Sequence, residues 1–184
     1  MTDFGYSTIG ASSDNPGQQW VWCKATGTPS GDGTLTAIQA YCAIRSGAPL
    51  VCMALYSDSG GLPDTKIVSN ETGALAGAGF GWVSNSFSQH ITAGVQYWFG
   101  IRVHDSGTDV DVKFDTNGSL TEVYYKASAY AVFPAGGPIG GLTSLANERW
   151  SIYGTYTLDS PGVATYPTGF AEPKRRLLNP TLRM

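Results

Sequence analysis

Two apolar runs dominate the hydropathy pattern. Leu50-Val51-Cys52-Met53-Ala54-Leu55-Tyr56 stops at Ser57-Asp58-Ser59-Gly60-Gly61-Leu62-Pro63, where two glycines supply positive φ and a proline forbids a continuing central strand. Gln96-Tyr97-Trp98-Phe99-Gly100-Ile101-Arg102-Val103 is the second run, built from aromatic and β-branched residues that suit a pleated, buried surface. Both are expected to be strands of one core. Around them the pattern changes to period two. Ile38, Ala40, Cys42 and Ile44 point one way between Leu35 and Ile44, and Val110, Val112 and Phe114 point inward while Asp111, Lys113 and Asp115 point outward.

The rest of the chain reads as turns and short strands. Residues 1–18 are polar and turn-rich, and Gln19-Trp20-Val21-Trp22-Cys23-Lys24 is the first firm strand, with Trp20 and Trp22 on one face. Lys66–Ser69 is a short strand, Gly73–Gly81 a flexible connector, and Trp82–Phe87 an edge-like strand without a clear buried side. Glu122–Lys126 and Tyr130–Phe133 are expected to pair as a hairpin, and Trp150–Tyr156 closes the fold. No stretch offers an amphipathic helix. About nine turn-separated strands predict an all-β protein, a two-sheet antiparallel β-sandwich of jelly-roll type.

The segments Ala54-Leu55-Tyr56-Ser57-Asp58-Ser59-Gly60-Gly61-Leu62-Pro63-Asp64-Thr65 and Ile91-Thr92-Ala93-Gly94-Val95-Gln96-Tyr97-Trp98-Phe99-Gly100-Ile101 together resemble a β-sandwich module found in phage structural proteins and in secreted bacterial multidomain proteins. The resemblance spans roughly residues 6–158 and includes the closing strand. It implies an adhesion, glycan-contact or packing unit, and it carries over no catalytic motif.

Composition changes at Asp159. Residues 1–158 form the expected sandwich domain, and 159–184 an extended arm that holds four of the ten prolines. Lys174, Arg175, Arg176 and Arg183 against Asp159 and Glu172 give the arm +2, so a total of −3 leaves −5 on the body. Proline spacing forbids a continuous helix or central strand there, so Tyr166, Phe170, Leu177, Leu178 and Leu182 need shelter from another surface. That surface is expected to be a protein partner or another copy of the chain. An acidic body excludes broad attraction to nucleic acid, and no apolar run reaches membrane-spanning length. Met1-Thr2-Asp3-Phe4-Gly5 lacks a basic start and an apolar core of a signal peptide, which points to synthesis in the cytoplasm and use in a virion or extracellular assembly. Of three cysteines, Cys42 and Cys52 flank an expected hairpin turn at Ser46–Pro49 and could face each other, although free buried thiols are the simpler expectation.

Candidate chemistry is sparse. Neither His90 nor His104 comes with a nucleophile, and adjacent His104 and Asp105 point to opposite faces of a strand, so no enzyme and no required cofactor are expected. The Gly-rich GAGFG lacks the strand-and-helix setting of a phosphate loop. Asp105, Asp109 and Asp111, with Asp115 and Asn117 nearby, could hold a structural calcium or simply form a solvated acidic hairpin, and Asp58 and Asp64 are a weaker pair. Five Trp, ten Tyr and seven Phe exceed what one small core needs. Trp22, Trp98 and Trp150 are assigned to the core, while Trp20, Tyr41, Trp82, Tyr124, Tyr125 and Tyr130 are the candidate contacts for a sugar ring or a partner protein.

Overall fold

The computed structural model describes residues 1–160 apart from Gln18, Ala48 and the stretches 72–78, 104–108, 117–120, 128–131 and 137–138. The expected arm residues Tyr166, Phe170, Lys174, Arg175, Arg176, Leu177, Leu178 and Leu182 lie outside the described residues, as do Tyr130 and Asp105. The described residues form thirteen strands: β1 (Thr2–Gly5), β2 (Ser12–Asp14), β3 (Gln19–Lys24), β4 (Gly33–Ser46), β5 (Val51–Ser59), β6 (Leu62–Glu71), β7 (Gly79–Ile91), β8 (Tyr97–Val103), β9 (Asp109–Thr116), β10 (Val123–Ala127), β11 (Thr143–Leu145), β12 (Glu148–Trp150) and β13 (Ile152–Leu158). They make two antiparallel sheets packed face to face, a β-sandwich. One sheet is built on β4, which pairs with β7 along one side and with β13 and then β9 along the other; β1, β2 and β12 extend it. The second sheet runs β11-β10-β3-β8-β5-β6.

Period two places the inner core. Val21 and Cys23, Val51, Met53 and Leu55, and Tyr97, Phe99, Ile101 and Val103 face Leu35, Ile38, Ala40, Cys42, Val110 and Val112 across the interlayer space. The other side of the second sheet is also buried. Trp22, Cys52, Ala54, Tyr56 and Trp98 lie beneath Phe133, with Ile139 and Leu142 packed alongside. Residues 132–136 and 139–142 therefore strap the outer face, and every residue of β8 is buried. This explains why the two apolar runs do not alternate: a strand covered on both faces has no polar side to keep.

The strap needs a gap in the sheet. A Cβ on Gly100 would stand 2.9 Å from the Phe133 ring and 3.2 Å from the Ala54 side chain, so the missing side chain is where Phe133 seats. Tyr56 Oη donates to Pro134 O at 2.8 Å, Lys66 Nζ to Phe133 O at 3.1 Å and Lys126 Nζ to Gly140 O at 2.7 Å, which fixes the strap at both ends. At the open edge of the sandwich, buried Asn85 of β7 donates to Val51 O and Asn70 O, and Asn70 Nδ2 donates to Ser86 O, so one amide pair joins the two sheets.

Several expectations change. The polar N-terminus contributes β1 and β2, with Phe4 buried against Tyr97, Phe99 and Tyr156. Ser46–Pro49 is no hairpin: β4 and β5 belong to different sheets, Cys42 faces the inner core and Cys52 the strap. All three thiols are buried and outside any disulfide, and burial pushes Cys42 up to about 12. Val132 and Phe133 form no strand, and β10 pairs instead with β3 and β11. Asp111 points outward as expected, yet it is buried because Arg45 covers it with an ion pair at 2.5 Å. β7 begins inside the expected connector, at Gly79. Pro63 stays compatible with a strand because β6 is the last of its sheet.

Gly100→Val should drive Phe133 off the sheet and lower stability by about 1–3 kcal/mol, as overpacking does. Urea unfolding checks this, and an unchanged midpoint would show that the strap does not bear on the fold.

Candidate functional site

The residues that carry the resemblance meet at one corner. Tyr56 and Trp98 are cross-strand neighbours on β5 and β8, and Asp58, two residues on, accepts the Trp98 Nε1–H at 2.7 Å through Oδ1. Its Oδ2 accepts the Gly61 amide at 3.1 Å, the expected Asx closure of the turn in which Gly60 and Gly61 adopt positive φ. One carboxylate thus satisfies a buried indole and caps the hairpin. Trp20 and Tyr124, two candidate contact aromatics, belong to this region: Trp20 lies 6.2 Å from Trp22 and Tyr124 lies 5.6 Å from Trp98, both half-buried beside the strapped cluster. Tyr125 turns the other way and packs on the inner core. Beside the strap a cavity of about 330 Å³ is lined by Cys52, Ser69, Asn70, Arg102, Val132 and Phe133.

A second aromatic surface lies on the outer face of the other sheet, with Phe80 exposed and Tyr41, Trp82 and Tyr153 half-buried. Alternation along β4 turns Gln39, Tyr41 and Ala43 away from the inner core, opposite Ser84, Trp82 and Phe80 of β7. On β13, Tyr153 pairs with Gln39 and stands on the same side. The rings form a continuous stripe: Tyr153 to Trp82 at 4.9 Å and 83°, Trp82 to Tyr41 at 5.1 Å and 68°, Tyr41 to Phe80 at 5.9 Å and 7°. Lys113 Nζ sits 4.5 Å above Phe80, and Phe80 is 39% exposed. The rim is polar, with the Gln39 amide donating to Thr155 Oγ1 and the Arg45–Asp111 pair on the β9 side. Burial, then the charge of Asp3, raises the Tyr153 phenol above its ordinary value. Edge-to-face rings leave slots between them, a surface suited to flat apolar groups with polar contacts at the margin.

Sequence reading identified Tyr41 and Trp82 of this stripe and missed Phe80 and Tyr153. Phe80 sits among glycines that read as connector. Tyr153 had a usable signal: Ile152, Gly154 and Tyr156 face inward, so period two puts Tyr153 and Thr155 outside.

The acidic hairpin is engaged in other contacts. Asp111 pairs with Arg45, and Asp115 accepts Tyr6 Oη at 2.7 Å and the Ala11 amide at 2.8 Å, hydrogen bonds that lower its carboxyl below the ordinary value. Asp109 enters β9 opposite Ser46. Among the described residues no three His, Cys, Asp or Glu side chains come together in a way that could hold a metal. Asp64 accepts from Thr65 Oγ1 at 3.0 Å. His90, at the end of β7, lies 3.3 Å from Asp159, whose amide donates to Asp32 O; His104 is outside the described residues.

Trp82→Ala removes two ring contacts and should cost about 1–3 kcal/mol, whereas Trp98→Ala empties a fully buried site and should cost about 3–5 kcal/mol. Urea unfolding of both variants checks the ranking; an equal or larger loss at Trp82 would mean that the stripe is core rather than surface. Comparison with family models, with curated proteins and with solved structures found no match to this chain.

Proposed function

We propose that the chain is a non-enzymatic structural subunit whose sandwich attaches to, or builds, a larger protein assembly of the kind found in phage virions, as a decoration, fibre or tail protein. The observation that carries this reading is the outward stripe Tyr153–Trp82–Tyr41–Phe80, because contiguous rings that are half-buried at Tyr153, Trp82 and Tyr41 and exposed at Phe80, with a polar rim, are the composition of a protein interface. The basic, proline-rich arm beyond Ser160 supplies a second attachment, with Tyr166, Phe170, Leu177 and Leu178 seeking cover and Lys174, Arg175 and Arg176 meeting carboxylates. Attachment at two points multiplies modest affinities.

A second reading is favoured by one observation. Tyr41 and Trp82 share their face with Gln39 and Thr155, so the stripe also has the ring-plus-amide chemistry that holds a carbohydrate. In that case the subunit would touch glycans on a cell surface.

Deleting residues 161–184 keeps the Asp159 contacts and should leave a folded, soluble protein. Its incorporation into particles purified from producing cells should fall at least about tenfold, the loss expected when an interface anchor is removed. Undiminished incorporation would remove the arm from the mechanism. Saturable binding on a glycan array, abolished by Trp82→Ala, would put the second reading in place of the first.

A further inference from the structure

We infer that the aromatic stripe on the outer face of the β4 sheet is the seat of the C-terminal arm of a second copy of this chain; this rests on the assembly reading and names the partner of its stripe. Three observations lead there, and the first is a period in the arm. Pro161, Ala164, Pro167, Phe170 and Pro173 recur every third residue, followed by Arg176 in the same phase. Proline disfavours helix and central strand but fits the left-handed extended helix of three residues per turn, in which all six positions would share one side. That side is apolar and ring-bearing, with a guanidinium at its end.

The second observation is the shape of the receiving surface. Trp82 stands 83° to Tyr153 and 68° to Tyr41, so ring faces and ring edges alternate from Tyr153 to Tyr41, beyond which Phe80 lies parallel to Tyr41. Slots of this kind are how aromatic-lined grooves take proline-rich chains, which arrive with little conformational entropy to lose. Scale agrees as well. Pro167 to Pro173 would span roughly 19 Å at the ~3.1 Å rise of that helix. The stripe advances by ring-centroid steps of 4.9, 5.1 and 5.9 Å.

The third observation is charge and exit direction. The arm carries +2 and the body −5, and the exposed carboxylate of Asp3 lies at the Tyr153 end of the stripe, where Lys174, Arg175 or Arg176 could meet it. Chain direction then favours a neighbour. β13 ends at Leu158 opposite Gly33, and Asp159 is tied to Asp32 and His90, so the chain leaves at the end of the sheet remote from Phe80, which pairs with Ala43. An arm whose basic end meets Asp3 would enter the stripe at Phe80, the end remote from its own point of exit, which favours the arm of a neighbour.

The test uses the full chain with photoreactive benzoylphenylalanine placed at Phe80 and, as a second probe, at the exposed Ser84 on the same face. Copies grown in light and heavy nitrogen are mixed, irradiated, digested and read by mass spectrometry. The expected result is cross-links from both probes into residues 161–184 that join light to heavy copies, with yield reduced about tenfold in the double variant Pro167→Ala, Phe170→Ala, as for loss of interface anchors. Cross-links to the arm within single copies alone would overturn the second-copy seat and arm-mediated self-assembly together. No arm cross-links at either probe, with sedimentation still arm-dependent, would overturn this seat and leave the assembly reading standing; loss of both would overturn both. Cross-links to other proteins of the particle, in place of the arm, would also overturn it.

Discussion

Burial of β8 on both faces is the constraint from which the rest of this structure follows. Tyr97, Phe99, Ile101 and Val103 fill the space between the sheets, while Trp98, Gly100 and Arg102 lie under the strap, against Phe133. A sandwich ordinarily has two outer faces available to water or to partners. Here one of them is occupied by the chain's own loop, and the face built on β4, β7 and β13 is left to make contacts.

The strap depends on small details that reinforce one another. Phe133 needs the space at Gly100, the Tyr56 phenol needs Pro134 O, and the Trp98 indole needs Asp58, which also closes the β5–β6 turn. A buried indole N–H without an acceptor would cost about 1–3 kcal/mol, so the polar turn and the apolar strand are coupled across forty residues of sequence. This coupling is a physical reason for the Ser-Asp-Ser-Gly-Gly turn and the Tyr-Trp-Phe-Gly strand to occur together in one chain. Burial of Tyr56 raises its phenol above the ordinary value, which keeps it a hydrogen-bond donor to the strap.

Much of this was legible in the sequence because strand periodicity is local. The two unbroken apolar runs, the alternation of Val110–Asp115 and the core role of Trp22, Trp98 and Trp150 all follow from which residues can line a pleat. What escaped depended on distant partners. Cys42 and Cys52 looked like hairpin neighbours because sequence separation cannot say that β4 and β5 lie in different sheets. Phe133 looked like a strand residue, since nothing nearby in the chain shows that it is a plug for Gly100. Of the contact aromatics, Tyr41 and Trp82 reach the open stripe, whereas Trp20 and Tyr124 border the strapped cluster and Tyr125 the inner core; only the pairing register separates these groups.

Enclosure of one sheet on both sides, with the other left uncovered on its outer face, can be measured by hydrogen exchange of the backbone amides in the native protein. Amides of β8 and β5 should exchange only through global unfolding, orders of magnitude more slowly than the edge strand β7, whose outer side pairs with no strand among the described residues. Exchange of β8 at the rate of β7 would contradict the account, because it would mean that the strap does not hold and that the outer face of the second sheet is as accessible as that of the first.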